Sequence, residues 1–189
     1  MAEEFSHTCG IRAVWPNTTG TKCIFADVNG TLHLLTPANG LSLLVADVAA
    51  AGTVTRVVWD AHDPNLFVAA SRKALMAYLH VSTHVKGPSV RSVWSRPAGD
   101  AVPIALVDGI VQAQVGGGAL SSLVLDTHRA LRADGAVHPR DRFKALLALG
   151  RLEDAWEAAK AIDGPSEWTQ LAFAALDSLD LALAIRCLR

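Results

Sequence analysis

Over roughly the first 125 residues, short apolar runs alternate with clusters of Gly, Pro, Asn, Asp and Ser, the pattern of brief strands joined by turns. From about residue 142 the apolar spacing lengthens to i, i+3, i+4, i+7, the pattern of amphipathic helices. Residues 11–15 open the first strand cycle, and Pro16-Asn17-Thr18-Thr19-Gly20 interrupts it. Residues 21–27 read as a strand, Asn29-Gly30 as a type I′ hairpin turn with positive φ at both positions, and 31–36 as the returning strand. Asn39-Gly40 turns the chain into a fourth strand at 41–45.

The cycle recurs. Residues 54–59 are followed by the loop Asp60-Ala61-His62-Asp63-Pro64-Asn65, strands at 66–70 and 74–81, and an edge strand within 81–86. A third cycle opens at 90–94, passes Pro97-Ala98-Gly99-Asp100, and continues with 104–107, the turn Asp108-Gly109, 110–115, the loop Gly116-Gly117-Gly118 and 120–125. Each opening strand ends in Arg-x-Val-Trp, at Arg12–Trp15, Arg56–Trp59 and Arg91–Trp94, with spacings of 44 and 35 residues that bracket one four-stranded propeller blade. The spacing predicts about three blades, each Trp filling the space against the neighbouring blade. The arginines at fixed offset are expected to share one environment: a solvated face, an ion pair with a loop carboxylate, or an anion-binding surface. Closed propellers use about four to eight blades, so further chain or a partner is expected to complete the ring.

Residues 126–141 read as a mildly basic linker carrying His128, Arg129, Arg132, His138 and Arg140, with Asp134-Gly135 and Pro139 as breakers. A short helix at 142–149 ends at Gly150. Leu152, Ala155, Trp156 and Ala159 form one apolar stripe, and Trp168, Leu171, Ala172 and Ala175 a second, behind Asp163-Gly164-Pro165, a Ser166 cap and Glu167 in the first turn. Asp180 caps a third helix whose stripe is Leu181, Ala184, Ile185 and Leu188. Short helices with Ala at close contacts stack as helical-hairpin repeats. The expected fold class is therefore β plus α: a partial WD40-type propeller at 1–125, a linker at 126–141, and the start of a TPR-like solenoid at 142–189. Because helical text runs to Arg189, the chain is expected to be a piece of a longer protein.

The 189 residues are 51% hydrophobic and 19% charged, enough to bury a substantial core, and a net charge of -1 supplies no long-range field towards nucleic acid or an anionic membrane. Cys9, Cys23 and Cys187 form no C-x-x-C, and the start Met-Ala-Glu-Glu-Phe is acidic with no apolar segment after it, so a cytosolic protein is expected. The sequons at Asn17 and Asn29 then read as turn chemistry. No stretch has the roughly 18 uncharged apolar residues of a membrane span; residues 41–58 are broken by Asp47, Gly52 and Arg56.

Chemistry is sparse. The glycine run lacks the Lys and Ser or Thr of a phosphate loop, and no nucleophile-elbow, H-E-x-x-H or dinucleotide fingerprint occurs. Of the seven histidines only His7 with Cys9, and His80 with His84, have close neighbours, and no second pair stands at zinc spacing. Asp27, Asp60, Asp63, Asp100 and Asp108 cluster in turns. No catalytic, cofactor-binding or metal-binding residue is expected, no cofactor is implied, and the partner-binding residues are not readable.

Phe143 to Glu157, with Asp-Ala-Trp-Glu at 154–157, Trp-x-x-Leu-Ala at 168–172 and Ala-Ile-Arg-x-x-Arg at 184–189, resembles the helical entry segment behind the second propeller of WD-repeat transport scaffolds. His7-x-x-Gly10-Ile11-Arg12-x-Val14, Pro16-Asn17, Gly20-Thr21 and Phe25-x-Asp27 look like a blade of that second propeller. The chain is thus similar to the WD-repeat subunits of intraflagellar transport complex A. The resemblance implies a non-enzymatic scaffold in retrograde ciliary transport and ciliary import of membrane proteins. The implied partners are the sister subunits of that complex and membrane-protein cargo or adaptors, at the cilium and ciliary base, with no nucleic acid and no membrane insertion. A coatomer-like coat subunit shares the helical form and is the alternative; a propeller hydrolase would need a carboxylate pair at the funnel of a closed ring.

Overall fold

The computed structural model describes residues 5–46, 48, 52–132 and 137–188. The acidic start, Asp47, the Asp134-Gly135 breaker and Arg189 lie outside the described residues. Two compact units are present: Met1–His80 with Val90–Val124, and Val81–Ser89 with Leu125–Arg189.

Among the described residues, the first unit holds three antiparallel sheets. β1 (Ile11–Pro16), β2 (Cys23–Asp27), β3 (Leu32–Thr36) and β4 (Leu41–Leu44) form a four-stranded meander; β5 (Val54–Trp59), β6 (Leu66–Ser71), β7 (Ala74–Val81) and β8 (Ser89–Pro97) form a second. β9 (Val102–Val107), β10 (Ile110–Gln114) and β11 (Leu120–Val124) form the third, in the order β11-β10-β9. β1 and β5 are structural equivalents, since both shift register near their starts, between Ile11 and Ala13 and between Val54 and Arg56. Their Trp residues meet: the Trp59 Nε1–H donates to the Trp15 carbonyl at 2.9 Å. From the end of β5, Asp60 bridges in parallel to Leu106 in β9, so the opening strands follow one another through the unit.

One apolar core lies between the first two sheets, where Ile24, Leu32 and Leu34 meet Val57, Trp59, Phe67 and Tyr78. The Phe67 ring stands 5.0 Å from Trp59 and 5.4 Å from Tyr78. β6 is buried along its whole length, which explains its continuous apolar text where an exposed sheet would alternate.

Several expectations are corrected. Residues 90–94 do not open a third cycle. They lie in β8, the fourth strand of the second sheet, and β9 takes the opening place. Trp94 is therefore not equivalent to Trp15 and Trp59; half-buried, it packs beside Ala70, Leu75 and Ala98. The tetrapeptide misled because an edge strand facing the next sheet needs a large apolar residue for the same reason an opening strand does. No edge strand runs through 81–86: beyond Val81 the segment groups with the helices, and the Val85 N–H donates to the Asp177 carbonyl at 2.7 Å. The 126–141 linker contains a helix, α1 (Asp126–Arg132), whose start lies under two bonds to the Leu125 carbonyl.

Asn29-Gly30 is not a type I′ turn, because only Gly30 takes a positive φ, 82°. The Asp27 carboxylate replaces part of the turn's own bonding by accepting the Thr31 N–H at 2.8 Å, and Gly30 N–H closes onto the Asp27 carbonyl at 3.1 Å. The Asn17 sequon is spent on its turn: the side chain is buried, its Oδ1 accepts from the Lys22 N–H and its Nδ2 donates to Thr21 Oγ1.

In the second unit, α2 (Pro139–Ala148), α3 (Leu152–Ile162), α4 (Pro165–Asp177) and α5 (Leu181–Cys187) pack in succession. Pro139 and Pro165 stand in first turns, where a missing N–H costs nothing. Gly164, not Ser166, is the cap position of α4. The core joins Phe143, Leu146, Ala155, Ala159, Leu171, Ala175, Leu183 and Ala184. The third stripe is corrected: Leu183 and Ala184 face inward, whereas Leu181, Ile185 and Leu188 are exposed by 61%, 54% and 70%. The left-handed Leu179 (φ 61°) and the Asp180 cap, which accepts the Leu183 N–H, set the angle at which α5 begins. Among the described residues, no helix is long and apolar enough to cross a membrane.

Candidate functional site

Three polar constellations stand out, and two of them hold the fold. Asp60, 1% exposed, ends β5 and takes three backbone donors: His62 and Asp63 on Oδ1 at 2.9 and 3.1 Å, and Gly109 on Oδ2 at 2.9 Å. One carboxylate thus shapes its own loop and ties it to the Asp108-Gly109 turn of the third sheet. The His62 imidazole meets the Asp108 carboxylate at 2.9 Å, a hydrogen bond and charge that raise the His62 pKa above its ordinary value.

Asn65 holds the second group. Its backbone carbonyl accepts the His80 N–H at 2.9 Å, and its side-chain oxygen accepts from Lys22 Nζ. Burial, with the Lys22 charge beside it, pushes the His80 pKa down to about 4, so the ring stays neutral. Burial also lowers the Lys22 pKa, against the opposing pull of Asp63. His84 takes no part: the pair four residues apart does not share a site, because His80 is on β7 and His84 lies beyond its end.

The third constellation was hidden from sequence spacing. His7, just ahead of β1, Asp27, at the end of β2, and His33, in β3, bring their ligand-type atoms within 4.8 Å of one another. No local pair in the sequence marks it: the β2–β3 hairpin, whose register sets Phe25 opposite His33, brings Asp27 and His33 together, and His7 comes from the segment ahead of β1. Cys9, close to His7 in sequence, is not part of the cluster; its thiol lies 3.4 Å from Asn29 Nδ2.

The three Arg residues do not occupy equivalent places in the sheets. Arg12 and Arg56 sit on equivalent opening strands, Arg91 on β8, and all are exposed. Among the described residues none of the three has a carboxylate partner at ion-pair distance, which favours the solvated-face reading. Burial raises the pKa of Cys23 and, more than its charged neighbours, that of Cys187, so neither thiol is primed as a nucleophile.

Large apolar side chains reach solvent on the strands, among them Val14, Leu44, Val102 and Leu120, and on the helices. In the helical unit Phe173, Leu176, Leu179, Leu181, Ile185 and Leu188 are exposed along α4, α5 and the turn between them. This is the outward side that the rotated stripe of α5 leaves uncovered. Patches of this kind mark protein contacts more often than chemistry.

Over 195 aligned residues and all of this chain, it is 26% identical to WD repeat-containing protein 19 of Mus musculus and 24% identical to that of Homo sapiens. It is also 25% identical to WD repeat-containing protein dyf-2 of Caenorhabditis elegans. The chain spans about 14% of the length of each of these relatives. A looser likeness, 12% identity and a TM-score of 0.39 over 61% of this chain and 31% of the other, is to the crystal structure of the WD40 domain of SCAP from fission yeast. The family described as WDR19 second beta-propeller matches residues 1–128, through all three sheets, and the chain belongs to that family.

Proposed function

We propose that this chain is part of a non-enzymatic scaffold subunit of intraflagellar transport complex A, the counterpart of WD repeat-containing protein 19, also called intraflagellar transport protein 144. It acts through protein–protein contacts in retrograde ciliary transport, cilium assembly and ciliary import of membrane proteins. Its partners are the sister subunits of that complex and membrane-protein cargo or adaptors, met in the cytoplasm, at the ciliary base and in the cilium.

The observation that carries the reading is the exposed apolar surface of α4 and α5, in a chain several of whose buried carboxylates hold backbone turns or an ion pair. Asp27 and Asp60 accept backbone N–H groups, and buried Glu167 pairs with Arg140 at 3.0 Å. Groups committed to turns and helix ends are poorly placed for acid–base work, whereas exposed Phe173, Ile185 and Leu188 offer desolvation energy to a partner.

The test is quantitative affinity capture of the full-length protein from ciliated cells, beside a Phe173→Asp/Ile185→Asp variant. The parent retains the sister subunits and the variant loses at least one of them. Capture of vesicle-coat subunits in their place would favour the coatomer-like alternative, and a variant that captures the same set would remove the helical face from the account.

A further inference from the structure

The buried end of the β2–β3 hairpin presents a donor set that the fold uses only in part. Asp27 is 4% exposed. Its Oδ1 holds the turn through the Thr31 N–H, while its Oδ2 faces His7 Nε2 and His33 Nε2, each at 3.9 Å. That separation is too long for a hydrogen bond, so neither imidazole satisfies the carboxylate. His33 Nε2 is fully buried and has no hydrogen-bond partner, a costly state for a polar atom in a packed site.

The surroundings fix both rings. Phe25 stacks on His33 at 4.9 Å and meets His7 edge-on at 5.1 Å; Phe5 stands 5.6 Å from Phe25, and the two imidazoles are 4.8 Å apart. An aromatic wall behind two imidazoles and one carboxylate orients three donors towards a common point and keeps bulk water from one side of it.

We infer that His7, Asp27 and His33 form a binding site for a divalent transition-metal ion of the zinc type. Two imidazole nitrogens and one carboxylate oxygen are a ligand set that zinc accepts at about 2.0–2.2 Å, with a fourth position left for water or for a donor from another protein. Three ligands at that radius lie roughly 3.3–3.6 Å apart in a tetrahedral arrangement, so the two 3.9 Å gaps close by a few tenths of an ångström and the imidazole–imidazole gap, at most 4.8 Å, by no more than about 1.5 Å. The cation would satisfy Asp27 Oδ2 and the orphaned His33 nitrogen together. It would also fasten the segment ahead of β1 to the β2–β3 hairpin.

Protonation is consistent with that role. Burial, then the neighbouring His7, holds the His33 pKa below its ordinary value against the pull of Asp27. Burial alone would raise the Asp27 pKa, but the Thr31 and Asn29 N–H groups together with His33 and His7 outweigh it and keep the carboxyl low. A neutral imidazole and an ionised carboxylate are the forms that bind metal.

The test uses the metal-stripped whole chain titrated with zinc against a chromophoric chelator, and with cobalt for its visible absorption. One equivalent is taken up, the cobalt spectrum is that of a four-coordinate nitrogen and oxygen site without thiolate charge transfer, and zinc raises Tm. His33→Gln and, independently, His7→Ala each weaken uptake by at least about tenfold and abolish the Tm shift. Cys9→Ser leaves both unchanged. His7 precedes β1, so His7→Ala remains folded if His33→Gln does not. Uptake that is unsaturable, unchanged in folded His7→Ala, or lost in Cys9→Ser overturns the assignment.

Discussion

Trp59 links the two four-stranded sheets by a hydrogen bond and by its bulk, and replacing it with Phe separates the two. The side chain is 7% exposed, its Nε1–H donates to the Trp15 carbonyl at 2.9 Å, and its ring stands 5.0 Å from Phe67. Trp59→Phe removes a net hydrogen bond of about 1 kcal/mol. It also opens a small void, for about 1–2 kcal/mol more, so the expected loss is about 2–3 kcal/mol. Trp59→Ala costs about 3–5 kcal/mol. Trp94, on β8, is only partly buried and gives up about 2–3 kcal/mol on truncation to Ala, less than Trp59, because part of its surface is already in water. Urea unfolding followed by circular dichroism measures the differences, and hydrogen exchange in peptides from β5 and β6 assigns them to the second sheet. Trp59→Phe within about 0.5 kcal/mol of the parent, or Trp94→Ala as damaging as Trp59→Ala, would refute the reasoning and restore the three tryptophans as equivalents.

Further outcomes are expected. Trp156→Phe is nearly neutral, within about 1 kcal/mol, because the Trp156 Nε1–H is buried without a partner and its loss relieves a cost. Trp156→Ala costs about 2–3 kcal/mol in thermal melts followed at 222 nm, since the half-buried ring also loses Trp168 at 4.7 Å and the Arg186 guanidinium at 4.3 Å. Asp60→Ala frees three backbone donors and destabilises the first unit by about 2–4 kcal/mol, read from urea midpoints. His80 is neutral in the folded chain down to about pH 4 but takes a proton near 6.5 when unfolded, so the unfolded chain binds more protons in between. Stability therefore falls as pH drops from about 6.5 to about 4, by no more than about 3 kcal/mol and by less where solvent screens the ring. His80→Phe removes that component of the pH dependence in stability measured from pH 7 to 4.

The strand and helix rhythm was legible because it follows from burial. Alternating or continuous apolar runs marked β2, β3, β6 and β7, and the 3.6-residue spacing marked α3 and α4. The errors came where tertiary context assigns the same local text to different places. Arg-x-Val-Trp serves an opening strand at Trp59 and an outer strand at Trp94, and only pairing distinguishes them. The stripe of α5 was misplaced because the left-handed Leu179 sets where the helix begins, and no residue type in Asp-Ser-Leu-Asp signals that conformation. The His7, Asp27 and His33 cluster was unreadable because its members are brought together by hairpin register and by a segment folding back over it. An Asp beside a turn reads as turn chemistry, which Asp27 Oδ1 does perform.

Quantitative affinity capture of the tagged full-length protein from ciliated cells, parent beside Phe173→Asp/Ile185→Asp, tests the scaffold account most directly. The account predicts stoichiometric recovery of a small fixed set of ciliary transport subunits by the parent and loss of at least one by the folded variant. Recovery of coat subunits instead, or an identical set from both, would contradict it.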